Sequence, residues 1–156
     1  LSEILFKKNT RAFTAMELVV VCALILLVTS LLFITVDPYE AKKKARDNIR
    51  LMDISDIERV VNEYKIDHNV FPGERNVLYI SNDPDWLPIP SITAYISHLP
   101  IDPINKNGYV YSYIQDGDSY EVTSKLEYFT NFMDSDKGND LNMFESGTNL
   151  SLIKGN

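Results

Sequence analysis

The chain has 156 residues, with 22 acidic against 15 basic side chains and a net charge of −7. That length suits one domain, the negative balance argues against a nucleic-acid-binding module, and a hydrophobic share of 45% is too high for disorder. A single cysteine, Cys22, excludes an internal disulfide and a cysteine-based zinc site.

The apolar residues are unevenly placed. Residues 1–12 carry Lys7, Lys8 and Arg11 against Glu3, and residues 18–36 then run for 19 positions without a charge, a Gly or a Pro. As a helix that run rises about 28 Å, close to the ~30 Å hydrocarbon thickness of a bilayer. No other segment is apolar enough to sheath a helix that is greasy on every side, so a membrane span is expected rather than a buried core helix. A cleavable secretory signal fits less well, because the run is long and ends at Val36-Asp37-Pro38 without a small-residue cleavage site. Charge leaves the orientation open: residues 37–50 hold five Lys and Arg, the leader three.

One carboxylate interrupts the apolar stretch from Phe13. Glu17 is expensive at bilayer depth, by roughly 2.5–3.5 kcal/mol at the centre and less near an interface. The segment Lys7-Lys8-Asn9-Thr10-Arg11-Ala12 followed by Phe13-Thr14-Ala15-Met16-Glu17-Leu18 resembles the prepilin-type signal of the type IV pilin and pseudopilin family. The resemblance implies cleavage between Ala12 and Phe13 by a prepilin peptidase on the cytoplasmic side, and N-methylation of Phe13. Ala12 departs from the Gly usual in the family. Paired with the Phe13 ammonium of a neighbouring copy, Glu17 would have its burial cost offset and would set the register between stacked subunits.

Beyond the span the pattern becomes amphipathic. Leu51, Ile54, Ile57, Val61 and Tyr64 recur at spacings of three and four, with Ile49, Met52 and Val60 alongside, and His68-Asn69-Val70 before Phe71-Pro72-Gly73 reads as a stop. This predicts one helix from about Phe13 to about Asp67, kinked near Pro38. Residues 73–108, rich in Pro, Asn and Asp, are expected as a long loop pinned by Trp86 and Leu87, with one short helix within Ser91 to His98. Residues 109–115 and 120–127 alternate around an Asp116-Gly117-Asp118 turn and predict a hairpin. Tyr120, Val122 and Leu126 are expected to face the helix, with Glu121, Thr123, Lys125 and Glu127 in solvent. A third strand is expected near Leu150 to Ile153. Leu99-Pro100-Ile101-Asp102-Pro103 before the tyrosine-rich hairpin is also similar to pilin heads.

The expected class is therefore α+β: a leader over 1–12, a membrane and filament-core helix over 13–36, its amphipathic continuation over 37–69, and a head over 70–156 closed by a small antiparallel sheet. The resemblance implies a filament subunit with identical subunits, a prepilin peptidase, an inner-membrane assembly platform and the lipid bilayer as partners. Basic residues 42–50 could meet acidic loops of adjacent heads or form a solvated face. Type IV pilus and type II secretion pseudopilus both stay open.

Near the end, Asp134, Asp136, Asp140 and Glu145 stand at positions one, three, seven and twelve of a twelve-residue window, a spacing that suits a calcium loop. The match is partial, since Gly138 falls one position early and Asn139 takes the usual glycine place; a solvated acidic loop is the alternative. Major pseudopilins hold a similar region with calcium where other pilins use a disulfide. An enzyme tethered by a signal anchor is the rival class, but His68 and His98 lack partner motifs and no nucleophile or phosphate-binding pattern is present.

Overall fold

A computed structural model describes residues 13–35, 37–82, 85–90 and 92–155, with the side chains of 32–35 and 92 outside the description. Two α-helices come first, α1 over Ala15–Thr35 and α2 over Pro38–His68. Short strands β1 (Tyr79–Ile80), β2 (Ser112–Gln115), β3 (Tyr120–Ser124) and β4 (Phe144–Gly147) follow, with a 3-10 turn at Ile92–Ala94 and helix α3 at Thr130–Ser135. Contacts divide the chain between Pro38 and Tyr39. The first unit is described here by α1 and the second is an α+β head.

The single helix expected from Phe13 to Asp67 is two helices. Pro38 does not kink a continuous rod; it occupies the first position of α2, where its missing N–H is one of the donors a helix start leaves unpaired anyway and its fixed φ suits helix entry. The α1 backbone is helical for 21 residues, about 31 Å. Among the residues with described side chains, no helix is long and apolar enough to cross a membrane: those of α1 end at Leu31, seventeen residues from Ala15.

The stop of α2 falls where the sequence places it. Asn69 takes a left-handed φ of 59° and donates its N–H to Lys65 O at 2.8 Å, the geometry that ends a helix through a residue able to tolerate positive φ. One face of α2 supplies Ile54, Ile57, Val60, Val61 and Tyr64 to the core. Each such aliphatic burial contributes about 1.5–3 kcal/mol relative to exposure. Ile49 and Met52 are not part of that face: they are 46% and 68% exposed, because the core begins only at Ile54.

Among the described residues the strands form one antiparallel sheet in the order β1-β2-β3-β4. The expected hairpin is present but shorter, with Tyr113 opposite Val122 and Gln115 opposite Tyr120. At its turn Asp116 Oδ1 accepts the N–H groups of Asp118 and Ser119, and Gly117 has a φ of +100°. Tyr111, Tyr113, Tyr120 and Val122 pack with α2 in the core. Three hydroxyl contacts fix the sheet to the helix: Tyr111 donates to Asp53 Oδ2 at 2.6 Å, Tyr120 accepts from Asn62 at 2.9 Å, and Ser146 donates to Glu58 Oε1 at 2.8 Å. The loop expected over 73–108 instead contributes an edge strand, β1. It buries Trp86, Leu87, Ile89 and Leu99, and Trp86 Nε1 donates to Pro100 O at 3.0 Å. The short helix expected within Ser91 to His98 is a single 3-10 turn.

Two expectations about the sheet are corrected. The strand that extends the hairpin is Phe144–Gly147, and residues 150–153 form turns and bends. Glu121 and Thr123 are buried rather than in solvent, since β4 flanks them and Glu121 Oε2 accepts the N–H groups of Leu152 and Ile153, each at 2.8 Å. Glu127 is also shielded, because it is bound by two arginines.

Those arginines belong to a buried ion cluster. Arg50 is fully buried and donates to Asp47 Oδ1 (2.7 Å), to both Asp102 oxygens (2.6 and 3.2 Å) and to Glu127 Oε1 (3.0 Å). Arg46 also binds Glu127 in bidentate fashion. Asp47 in turn accepts the N–H groups of Glu127, Tyr128 and Phe129 at 2.6–3.0 Å. Burial pushes the Asp47 carboxyl up, but those three N–H donors and Arg50 outweigh it and hold the group below the usual range. Arg50→Ala leaves Asp47 and Asp102 buried without their cation, so it should lower stability by about 3–5 kcal/mol. Urea unfolding of the detergent-solubilised full chain, followed by the fluorescence of the single tryptophan Trp86, measures this.

Candidate functional site

The start of α1 is built by its own sequence. Thr14 Oγ1 accepts the N–H of Glu17 at 3.2 Å, and Glu17 Oε2 accepts the N–H of Thr14 at 3.4 Å. This reciprocal pair is a capping box, which satisfies two of the donors a helix start leaves unpaired. The Glu17 carboxylate also sits in the first turn, where the helix dipole favours negative charge. Phe13 precedes the box and is exposed. Ala12 lies outside the described residues, as do the leader and Val36.

The described side chains of α1, from Ala15 to Leu31, are exposed. Leu18, Val19, Leu24, Ile25, Leu26 and Leu27 are all exposed, as is Cys22. Two hydroxyls among the described side chains of the run are satisfied within the helix: Thr29 donates to Ile25 O at 2.8 Å, and Ser30 donates to Leu27 O at 2.8 Å. These hydroxyls are paired without leaving the helix, while the Glu17 carboxylate at its start stays exposed. The core of the head, by contrast, is drawn from Ile54 onward.

The acidic loop has its own internal logic. Asp134 lies exposed on α3, Asp136 Oδ1 accepts Gly138 N–H and its Oδ2 accepts Glu145 N–H, each at 2.8 Å, and Asp140 Oδ1 accepts Asn142 N–H at 2.9 Å. Glu145 is buried on β4, and its Oε2 accepts Asp140 N–H at 3.0 Å. Asp136, Asp140 and Glu145 are thus tied into one loop by backbone donors. Among the described residues no group of three or more His, Cys, Asp or Glu converges as a metal site. A Cβ at Gly138 would fall 1.6 Å from Glu145 Oε2 and 2.9 Å from its Cβ, so a side chain there would displace the buried Glu145.

Glu121 of β3 joins this region, which the alternation pattern did not reveal. It is fully buried, its Oε1 has no hydrogen-bond partner, and it interacts with Glu145. Burial, then Glu145, raise Glu121 to about 7, against the lowering effect of the Ile153 and Leu152 N–H groups. Two buried carboxyls side by side hold a proton more readily than one alone. The only sequence signal for this pair is two acids on neighbouring strands, Glu145 standing opposite Thr123, two positions from Glu121, and that register is not visible before the strands are placed.

No protein-family model, curated protein or solved structure matches this chain.

The unfolded Glu121 carboxyl titrates near 4.5 and the folded one near 7, so the folded chain holds the extra proton in between. The stability linked to that proton is complete below about 4.5 and is lost as pH rises through 7. Glu121→Gln removes the loss. Its melting temperature relative to the parent chain should therefore rise between pH 4.5 and pH 8, as measured by thermal unfolding at both pH values.

Proposed function

We propose that the chain is a structural subunit of a type IV pilus or a pilus-like filament. It is cut between Ala12 and Phe13 by a prepilin peptidase, methylated at Phe13, held in the cytoplasmic membrane with its head outside, and polymerised through α1. The carrying observation is α1 itself: an apolar helix whose described side chains, from Ala15 to Leu31, are exposed, preceded by Phe13 and Thr14 and carrying Glu17 in its first turn, while the core of the head is built without it. Apolar surface of that extent is stable only in a bilayer or against other apolar helices. In this reading bilayer and filament core are its two successive environments.

Assembly turns on Glu17. Cleavage creates an α-ammonium at Phe13, and methylation keeps its charge. Within a bundle of apolar helices the carboxylate accepts that cation from the next copy, and each charge offsets the burial cost of the other. The capping contact to Thr14 is long, at 3.4 Å, so the carboxylate can exchange it for a charged donor. Uncut chains lack that ammonium, which makes polymerisation wait on processing. No catalytic role is assigned to the chain.

Glu17→Ala should leave cleavage before Phe13 and methylation intact by mass spectrometry of the membrane fraction. Surface filaments recovered by shearing should fall at least about tenfold, corresponding to one lost charge pair of about 1.4 kcal/mol or more. Filaments at parental yield would overturn the role of Glu17, and an intact Ala12–Phe13 bond would overturn the reading as a whole.

A second reading, the major pseudopilin of a type II secretion system with a calcium-stabilised C-terminal loop, is favoured by one observation. Glu121 Oε1 is buried without a partner next to Glu145, and Asp136 and Asp140 lie in the loop that Glu145 closes. Asp136 and Asp140 do not converge with this pair, so a divalent cation would have to draw them away from their backbone donors; bound there it would relieve the like-charge contact and tie the loop to β3. Calcium should then raise the melting temperature of the full chain and a chelator should reverse it. Identical melting curves with and without calcium would exclude this reading and leave the filament reading in place.

A further inference from the structure

The sheet carries two carboxyls on the face turned away from α2. Val122 and Ser146 reach the helix side, so their neighbours Glu121 and Glu145 lie on the other, Glu121 opposite Gly147 and Glu145 opposite Thr123. They are 0% and 3% exposed and interact with each other. Two chain segments cover them. Leu152 and Ile153 of the C-terminal turn donate their N–H groups to Glu121 Oε2, each at 2.8 Å, and Glu121 Oε1 is left without a partner. On the other side Asp140 donates its N–H to Glu145 Oε2 at 3.0 Å, and Gly138 lies directly over that carboxyl.

Among the described residues neither Glu121 nor Glu145 enters a salt bridge. Of the charged groups on the elements around them, Asp136 accepts the Gly138 and Glu145 N–H groups and Asp140 accepts that of Asn142, while Asp134, Lys137 and Lys154 are exposed. On β2 the positions of the same face are Ser112 and Ile114, which carry no charge. Asp136 and Asp140 therefore add negative charge nearby, and a proton shared between the two buried carboxyls relieves their repulsion.

We infer that Glu121 and Glu145 share one proton that latches the acidic loop, residues 137–142, onto the sheet, and that losing it at alkaline pH releases this loop while the C-terminal turn stays in place. The donors decide which side opens. A carboxylate accepts an N–H more strongly than a carboxylic acid does, so deprotonated Glu121 holds Leu152 and Ile153 the harder. Two buried anions side by side repel, and Glu145, whose Oε2 takes the one Asp140 N–H against two on Glu121 Oε2, is the partner that leaves for water. Its departure takes Asp140 and Gly138, which rest on it, away from the sheet. Burial and Glu145 hold the Glu121 carboxyl up at about 7, so the latch is closed below that pH and is lost as pH rises through it. The core on the opposite face, from Ile54 to Val122, takes no part. The latch depends on neither functional reading.

The test is amide hydrogen exchange on the detergent-solubilised full chain at pH 5 and at pH 8, with a chelator present throughout and rates corrected for the intrinsic effect of pH. Protection of the Asp140 and Asn142 amides should fall at least about tenfold between the two, while the Leu152 and Ile153 amides keep theirs. Glu121→Gln and Glu145→Gln each replace one acid by a neutral amide, so either should keep the loop protected at both pH values. Trp86 fluorescence reports whether each variant retains the folded head, and one folded variant suffices. Equal loop protection of the parent chain at both pH values overturns the inference. Protection lost together from the loop and from residues 152–153 overturns it as well, since the cover then opens as one piece. A pH response that persists in a folded Gln variant assigns the release to other groups and overturns the role of the pair.

Discussion

The head is organised around one buried guanidinium. Arg50 can be buried only because acceptors surround its fork, and the three that do so come from distant stretches of chain: Asp47 on its own helix, Asp102 before the hairpin, and Glu127 after β3. Asp47 then spends its oxygens on the backbone that leaves β3. Helix, Pro-rich loop and strand exit are fixed to each other at this point. Such a cluster contributes less net stability than well-packed hydrocarbon of the same size, but its geometry admits one arrangement of the three segments. Cavity-filling side chains alone would tolerate a shifted loop; a saturated guanidinium does not.

This explains which parts of the fold were legible in the sequence. Helical periodicity located the buried face of α2 from Ile54 to Tyr64, and Asn69 marked its end, because both depend on local geometry. Asp116-Gly117-Asp118 marked the hairpin turn for the same reason. Ile49 and Met52 continue the apolar period yet stay exposed, since periodicity reports which side a residue is on and not where the core begins. Arg46 and Arg50 fall in the basic stretch 42–50 expected to form a solvated face or to meet adjacent heads, because their partners Glu127 and Asp102 lie some fifty to eighty positions away. The two-residue strand β1 has no sequence signal of its own; it exists because β2 offers an edge. Glu121 obeyed strand alternation and was buried all the same, because turns at the C-terminal end cover the face that alternation assigned to solvent.

The candidate site divides in the same way. Glu17 stands out because a carboxylate in an apolar run is costly, and the local pattern Thr14-x-x-Glu17 spells the capping box that occupies it. The residue therefore has an intramolecular use as well as the intermolecular one proposed for it, and the first prepares the second by fixing where the carboxylate points. In the acidic loop, spacing identified residues that do share a loop, but it could not show that Asp136 and Glu145 turn inward to backbone donors, nor that the nearest buried acid comes from another strand.

The sheet's margins carry a further consequence. β1 is two residues long, and β4 ends at Gly147, whose φ of +143° takes the chain out of extended pairing. Margins this brief give a foreign strand little backbone to zip onto. Edges this short leave another chain little room to add a strand, so edge-to-edge fusion of heads, the route to amyloid-like stacking, is disfavoured by the sheet itself.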